Sequence, residues 1–201
     1  MILGLTGSLG SGKSTVARML TELGGARVID ADAITHAVQQ PGGPAYEPVV
    51  ELFGPEVVQP DGTLDRARIA SIVFADPEQM RRLTAIVHPA VRREELRLLE
   101  AHRGEPLVVF MVPLLFENGL DRYVDRTVVV TVGEAARRER LVARGMTPDD
   151  IERRLAAQMP EAEKARRADY VIDNSGTLEA TRAQVKALLE TLGVRPAAES
   201  S

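Results

Sequence analysis

The residues with the clearest capacity for chemistry lie near the start of the chain, in a turn that fits the phosphate-binding pattern G-x-x-x-x-G-K-[ST]. Glycines in this turn, which runs over residues 7–14, let the backbone curl until successive N–H groups point at one anion. Lys13 can lie along the β- and γ-phosphates of a nucleotide, and the Ser14 hydroxyl can ligate Mg²⁺. A glycine turn without a ligand is the alternative, but it would need neither the lysine nor the hydroxyl. The predicted nucleotide-binding residues are Gly10, Ser11, Gly12, Lys13, Ser14 and Thr15.

Two regular elements must hold this turn. Residues 2–6 form a short, mostly apolar run, which predicts a buried strand. Residues 14–23 carry apolar side chains at helical spacing and end at Gly24-Gly25, which predicts a helix closed by glycine. The N-terminal end of that helix would add its positive dipole to the phosphate site.

A second candidate for chemistry is the pair Asp30 and Asp32, which follows a predicted strand over residues 27–30. Open α/β sheets bind their ligands at the carboxyl ends of their strands. A carboxylate near a phosphate-binding turn could accept a hydroxyl proton during phosphoryl transfer. The alternative is that Asp32 only caps a helix beginning at Ala33.

Residues 33–104 show helical patterns and no convincing strand, which predicts an all-helical insert suited to an acceptor substrate. Asp65 and Asp76 are the expected N-caps of two of its helices. The second helix is expected to break at His88-Pro89, because proline lacks a donor and disfavours helix at the preceding residue, and a new helix would follow. On this pattern alone, His88 is expected to be a helix-junction residue that bonds local backbone.

A continuous apolar run over residues 107–112 predicts a buried parallel strand. Many phosphate-binding folds place an acidic residue near the end of this strand to help hold Mg²⁺, yet Met111 and Val112 are apolar. The metal would then rest on Ser14, the phosphates and water, with Asp32 behind its waters. Glu117, in the segment after the strand, either faces substrate or caps the next segment.

The stretch after the next predicted strand, residues 127–132, is rich in arginine. Arg137, Arg140 and Arg144 fall on one face of a helix predicted over residues 134–144. A second helix begins at Thr147-Pro148, and two helices around an arginine cluster predict a lid that closes over ATP, since the arginine fork grips phosphate oxygens in pairs. The alternative is a set of solvated arginines paired with acidic neighbours, namely Glu134, Glu139 and Asp149.

Residues 168–174 predict the last strand and residues 178–192 a closing amphipathic helix, with a frayed tail over 196–201. The predicted fold class is therefore α/β: a three-layer P-loop kinase core with a five-stranded parallel sheet, a helical substrate-binding insert and a helical lid. The expected core comprises residues 1–32, 105–133 and 168–201. The expected insert is 33–104, partly a core helix, and the expected lid is 134–167.

Composition narrows the function classes. The 201 residues carry a net charge of −4, which argues against general nucleic-acid binding. The absence of cysteine excludes disulfides and thiolate metal sites and is compatible with a reducing cytosol, so we expect a cytoplasmic protein. No apolar stretch approaches the ~20 residues of a membrane-spanning helix, and the start lacks the features of a signal peptide.

Several motifs in a fixed order give the sequence a family resemblance that covers nearly the whole chain. They are Gly4 through Thr15, Val28 to Asp32, His88-Pro89, Pro113 to Glu117, Arg140 to Arg144, Gln158, and Asp169 to Asn174. The glycine-rich turn alone would indicate only a superfamily. The whole set resembles the dephospho-CoA kinase family.

That resemblance implies ATP-dependent phosphorylation of the ribose 3′-hydroxyl of dephospho-CoA, with Mg²⁺ and small-molecule substrates and no obligatory protein partner. It implies that Asp32 is the catalytic base and that Lys13 and Ser14 contact phosphate and metal. The implied acceptor side comprises His88, Leu114 and Glu117. The implied ATP contacts beyond the turn are the lid residues Arg140 and Arg144 and the adenine-pocket residues Asn174 and Gly176. Met111 stands where some members carry an acidic residue.

Two other functions fit parts of the pattern. A shikimate-type kinase also places Asp-x-Asp after its second strand, but the long insert and the lack of a Gly-Gly-Gly triplet argue against it. A nucleotide-switched binding protein such as a GTPase would carry an Asn-Lys-x-Asp motif, which the sequence lacks. Dependence of turnover on the acceptor distinguishes all three.

Overall fold

Five short segments pair into one sheet, as predicted. In the computed structural model, which describes residues 1–194, the strands are β1 (Ile2–Thr6), β2 (Arg27–Asp30), β3 (Val108–Met111), β4 (Arg126–Thr131) and β5 (Tyr170–Asp173). Their order is β2-β3-β1-β4-β5, and β1 pairs in parallel with both β3 and β4. The first strand is therefore central, and the glycine-rich turn leaves from the middle of the sheet.

The helices follow the predicted pattern with a few exceptions. They are α1 (Lys13–Gly24), α2 (Ala31–Ala37), α3 (Tyr46–Phe53), α4 (Arg66–Ala75), α5 (Pro77–Ala101), α6 (Glu134–Ala143), α7 (Pro148–Ala156), α8 (Glu161–Arg167) and α9 (Leu178–Thr191). Of the described residues, 1–29 and 101–194 form one compact unit, and Asp30–Glu100 form a second. The expected tail at 196–201 lies outside the described residues.

The core of the first unit is aliphatic and lies between the sheet and two helices. Alternate residues of β1, Leu3 and Leu5, are fully buried on the face covered by α1 and α9. Gly4 lies on the opposite face, where a Cβ would meet Leu115 and Val124 at 3.0 Å. Close packing on both faces holds the carboxyl end of β1, and with it the turn, in a fixed place.

The second unit is helical, as predicted; within residues 33–104 the only strand-like pairing is an isolated bridge between Val58 and Leu64. Asp65 caps α4, as expected, by accepting from the backbone N–H of Arg68 at 2.9 Å. Helix α2 starts earlier than Ala33, the start that the capping alternative for Asp32 requires. It begins at Ala31, and its N-cap is Asp30, whose carboxylate accepts from the Asp32 N–H at 2.9 Å.

The capping role considered for Asp32 is therefore wrong. Asp30 ends β2 in an extended conformation, with φ −101° and ψ 114°, which is the backbone geometry an N-cap requires. Asp32 consequently lies in the first turn of α2, where its negative charge suits the helix dipole. Its carboxylate is not the group that caps the helix.

The helix break predicted at His88-Pro89 is also wrong, since α5 continues through Pro89. Val87 and Ala90, on either side, are buried, whereas Pro89 and Ala85 are exposed. The carbonyl of Ala85, which loses its partner at Pro89, therefore lies on the solvated face of the helix. Burial of the apolar face outweighs the local preference of proline, and His88 is an exposed mid-helix residue.

Replacing Pro89 by alanine is expected to raise the free energy of unfolding by about 1–3 kcal/mol, because it restores a helix hydrogen bond and removes a clash. The gain is reduced by the wider conformational freedom of alanine in the unfolded chain. Urea denaturation of both proteins measures the difference.

The matched control is Pro77→Ala, at the first position of the same helix. Proline costs nothing there because its N–H would have no helical partner. We expect a change within about 0.5 kcal/mol. Equal effects at the two positions would contradict the explanation.

Candidate functional site

The glycine-rich turn has the backbone geometry of an anion cradle. It occupies the chain between Thr6, at the end of β1, and Lys13, at the start of α1. Gly10 and Gly12 have φ of 77° and 91°, which only glycine adopts without strain. A Cβ at Gly12 would lie 2.1 Å from the Nδ2 atom of Asn174. Both glycines are therefore required by conformation, and Gly12 also by the close approach of a neighbour.

The two residues that open α1 lie where the motif predicts. Nζ of Lys13 donates to the carbonyl of Gly7 at 2.8 Å and lies 3.4 Å from that of Ser8, so the side chain folds back over the turn. Ser14 is exposed at the N-terminal end of the helix and Thr15 is half-buried. An ammonium and a hydroxyl thus flank the positive end of a helix dipole, which suits a polyphosphate.

Two side chains from the carboxyl-terminal third of the chain hold the turn. Gln158 accepts a hydrogen bond from the Leu9 N–H at 3.0 Å. The buried amide of Asn174 donates to the Ser11 carbonyl at 2.8 Å. Asn174, predicted as an adenine contact, thus lies against the turn itself, while Gly176 is exposed in the loop between β5 and α9.

The predicted lid arginines divide into different environments. Arg140 donates to the backbone carbonyl of Asn174 at 2.8 Å, which brings it to the turn. Arg144 is exposed at the end of α6. Arg137 is largely buried and pairs with Glu161, and its guanidinium also donates to the Val132 carbonyl at 3.3 Å.

The alternative set of partners for the arginines is only partly right. Glu134 does form an ion pair, but its partner is Arg138, which also pairs with Glu152. These contacts lie on the exposed side of α6, where ion pairs contribute little. The surface pairing and the contacts near the turn therefore use different arginines.

Sequence reasoning missed helix α8 and its one buried charge. Lys164 is 0% exposed, and its Nζ donates to the Pro113 carbonyl at 3.0 Å and to Oε1 of Glu117 at 2.8 Å. The same Oε1 accepts from the Met159 N–H at 3.0 Å. The local sequence, with acidic and basic residues around Lys164, reads as a solvated helix, so no sequence signal distinguished it.

The hydrogen bonds around Glu117 determine the charge state of its carboxyl group. Burial works to raise the pKa of its carboxyl, but the hydrogen bond from Lys164 and those from backbone N–H groups outweigh burial and hold the pKa below its ordinary value. Glu117 is therefore ionised at neutral pH and links the segment after β3 to α8. Neighbouring Leu114 is half-buried in the turn that follows β3.

The end of β3 carries no acidic residue that could hold a metal ion; the residues there are Met111 and Val112. Met111 and Val112 are buried at the end of β3, and the Val112 N–H donates to the Leu5 carbonyl at 2.9 Å. Among residues 1–194, no three His, Cys, Asp or Glu side chains cluster closely enough to hold a metal ion. The donor set at the turn is the single exposed hydroxyl of Ser14, which fits Mg²⁺, a cation that keeps several waters and takes phosphate oxygens.

The two remaining predicted residues belong to the helical unit. Asp32 is exposed in the first turn of α2, and His88 is exposed near the middle of α5.

None of the helices within residues 1–194 has the length and hydropathy needed to cross a membrane.

Comparison with known proteins gives consistent matches across the chain. The family model described as dephospho-CoA kinase matches residues 1–180. A dephospho-CoA kinase of Symbiobacterium thermophilum is 56% identical and covers 100% of this chain and 86% of its own length. One from Geobacillus kaustophilus is 47% identical over 94% of this chain and 96% of its own. A crystal structure from Thermus thermophilus aligns with a TM-score of 0.78 at 42% identity, over 96% of this chain and 97% of that one.

Glu117→Gln is expected to lower the free energy of unfolding at pH 7 by about 3 kcal/mol, because it leaves the buried Lys164 ammonium without its carboxylate. The folded-state pKa of Glu117 lies below its unfolded value, so the wild-type contribution is complete above about pH 4.3. It is lost as the pH falls through the folded value. Chemical denaturation should therefore show that the difference in free energy of unfolding between wild type and Glu117→Gln becomes smaller as the pH is lowered.

Glu163→Gln is the matched control on the same helix, because the ion pair of Glu163 with Arg167 is on the surface. We expect it to change stability by less than about 0.5 kcal/mol at any pH. A gap between wild type and Glu117→Gln that stayed constant on acidification would contradict the assignment of the ion pair.

Proposed function

The chain belongs to the dephospho-CoA kinase family, and we propose how its own residues divide the work of that reaction. The family resemblance drawn from the motifs is confirmed. The reaction transfers a phosphoryl group from ATP to the ribose 3′-hydroxyl of dephospho-CoA and is the final step of CoA biosynthesis. Membership of this family sets aside the shikimate-type kinase and the nucleotide switch.

The cradle between β1 and α1 is the observation that carries the proposal. Its N–H groups, with the helix dipole behind them, would bind the β-phosphate of ATP. Lys13, whose Nζ lies 2.8 Å from the Gly7 carbonyl, is within reach of the β- and γ-phosphates. These groups would neutralise charge that builds on the γ-phosphoryl oxygens during transfer.

Ser14 would hold the metal ion. Its exposed hydroxyl stands at the start of α1, next to the cradle, and the phosphates and water would complete the coordination. When bound, Mg²⁺ would supply positive charge that offsets the charge on the phosphate oxygens during transfer.

Asp32 is the proposed base. The 3′-oxygen attacks the γ-phosphorus in line, the bond from that phosphorus to the bridging oxygen of ADP breaks, and the hydroxyl proton passes to Asp32. Two facts support the role: Asp32 follows strand β2 by two residues, and Asp30 has taken over the capping of α2. An exposed carboxylate at a strand's carboxyl end suits a ligand site in an α/β sheet.

Three further residues would contact the acceptor: Leu114 and Glu117, in the segment after β3, and His88, on α5. Oε2 of Glu117 is buried and has no hydrogen-bond partner among the described residues, so it could accept from a hydroxyl of the acceptor. Leu114, half-buried in the same segment, would add an apolar contact. His88, exposed on α5, could donate to a phosphate of dephospho-CoA.

Residues 134–167 would act as a lid over ATP. Arg140 already reaches the carbonyl of Asn174 beside the cradle, and Arg144 lies one turn further on at the end of α6. Closure would bring arginine forks to the phosphates and exclude water, which limits wasteful hydrolysis of ATP. The lack of cysteine in all 201 residues suits reaction in a reducing cytosol.

A coupled ADP-release assay tests the proposal. ADP should appear when dephospho-CoA is present, and only at background rate when it is omitted or replaced by shikimate. ADP release that is indifferent to dephospho-CoA would refute the proposed acceptor.

Asp32→Asn is expected to lower kcat by about 10²–10⁴-fold, the usual contribution of a general base, while ATP binding is largely kept. Steady-state kinetics with both substrates varied gives the separation. Glu190→Gln, which changes an exposed carboxylate on α9, is the control and should leave kcat within twofold. A near-normal kcat for Asp32→Asn would remove Asp32 from the chemistry.

A further inference from the structure

The side chain of Asn174, directly after β5, connects the phosphate cradle to helix α9 through a hydroxyl that the mechanism above does not use. Its Nδ2 donates to the Ser11 carbonyl at 2.8 Å, and its Oδ1 accepts from the Thr181 hydroxyl at 2.9 Å. Asn174 is 4% exposed and Thr181 is 0% exposed. Water therefore competes for neither bond, and a buried relay runs from α9 to the turn.

Hydrogen-bond chemistry determines which way the amide faces. The Ser11 carbonyl is only an acceptor, so the Asn174 atom beside it must be the NH₂ group. The amide oxygen then faces Thr181, whose single hydroxyl proton is the donor it needs. The carbonyl of Thr177 lies 3.2 Å from the same hydroxyl, but it already accepts from the Thr181 N–H at 3.1 Å.

The relay acts on a peptide group whose other end faces the ligand. Ser11 and Gly12 share one planar trans peptide, in which the C=O and N–H bonds point in opposite directions. Holding the Ser11 carbonyl against Asn174 therefore aims the Gly12 N–H away from Asn174. The absence of a side chain at Gly12 is what lets the amide come so close.

We propose that Thr181 is a positioning residue for ATP, which acts through the Asn174 amide to aim the Gly12 N–H into the phosphate cradle. The inference rests on the proposed use of the cradle to bind ATP. Without the hydroxyl, the buried Asn174 oxygen lacks a donor and the amide is free to rotate. The Ser11 carbonyl then loses its fixed direction, and so does the N–H on the other side of the peptide.

The test is the steady-state kinetics of Thr181→Val, which replaces the hydroxyl by a methyl group of similar size. We expect KM for ATP to rise about tenfold, as for the loss of a donor to a buried acceptor, while KM for dephospho-CoA stays within twofold. Thr181→Ser, which keeps the hydroxyl, should restore KM for ATP. A merely structural threonine would alter thermal stability without separating the two KM values.

The matched control is Thr191→Val on the same helix. The Thr191 hydroxyl donates to the Ala187 carbonyl four residues earlier but contacts no part of the relay, and both KM values should stay within twofold. Should Thr181→Val fail to fold, Thr181→Ala serves instead, since alanine favours helix. If the wild type is active and a folded Thr181 variant has an unchanged KM for ATP, this inference is wrong but the proposed function is not affected. If ADP release by the wild type does not depend on the acceptor, both the proposed function and this inference are wrong.

Discussion

A phosphate site built from backbone N–H groups depends on one constraint: the turn that carries them must keep a single conformation. The turn cannot do this by itself, since glycine gives it freedom as well as access. Side chains supply the restraint. Lys13, from the adjoining helix α1, donates to the Gly7 carbonyl. From distant parts of the chain, Asn174 donates to the Ser11 carbonyl and Gln158 accepts from the Leu9 N–H. The conformation of the turn is thus a property of the whole first unit.

The same principle governs the neighbouring segment after β3. That segment consists of turns, and its Pro113 carbonyl accepts from the Thr6 hydroxyl at 3.1 Å and from Lys164 at 3.0 Å. Thr6 ends the strand that carries the cradle, so the buried ammonium organises both segments at once. A buried charge pair is a costly way to stabilise a fold, and it is better understood as a way to fix a geometry.

Sequence patterns predicted features whose cause is local or strictly periodic. The glycines of the cradle, the apolar strands and the capping residue Asp65 each follow from conformational preference or spacing, and the strands and this cap agree with the structure. Predictions from the sequence were wrong or incomplete where tertiary contacts determine the local structure. Pro89 stays helical because the helix face around it is buried, and Lys164 is buried because Glu117, 47 residues earlier, lies beside it.

The roles of single side chains were the hardest to predict. Asp30 and Asp32 are the same residue type two positions apart, and only the backbone angles at the end of β2 show which one caps α2. The expected place of Asn174 near adenine stays a prediction, but the sequence did not show that its amide contacts the Ser11 carbonyl and the Thr181 hydroxyl. Distances of this kind depend on packing between elements that the sequence specifies only together.

A crystal structure with dephospho-CoA and a non-hydrolysable ATP analogue bound together is the most direct test of phosphoryl transfer between the cradle and Asp32. We expect β-phosphate oxygens at the N–H groups of the cradle, and the 3′-hydroxyl oxygen within about 2.6–3.2 Å of the Asp32 carboxylate and in line with the γ-phosphorus. A 3′-hydroxyl remote from Asp32, or a triphosphate that avoids the cradle, would contradict it.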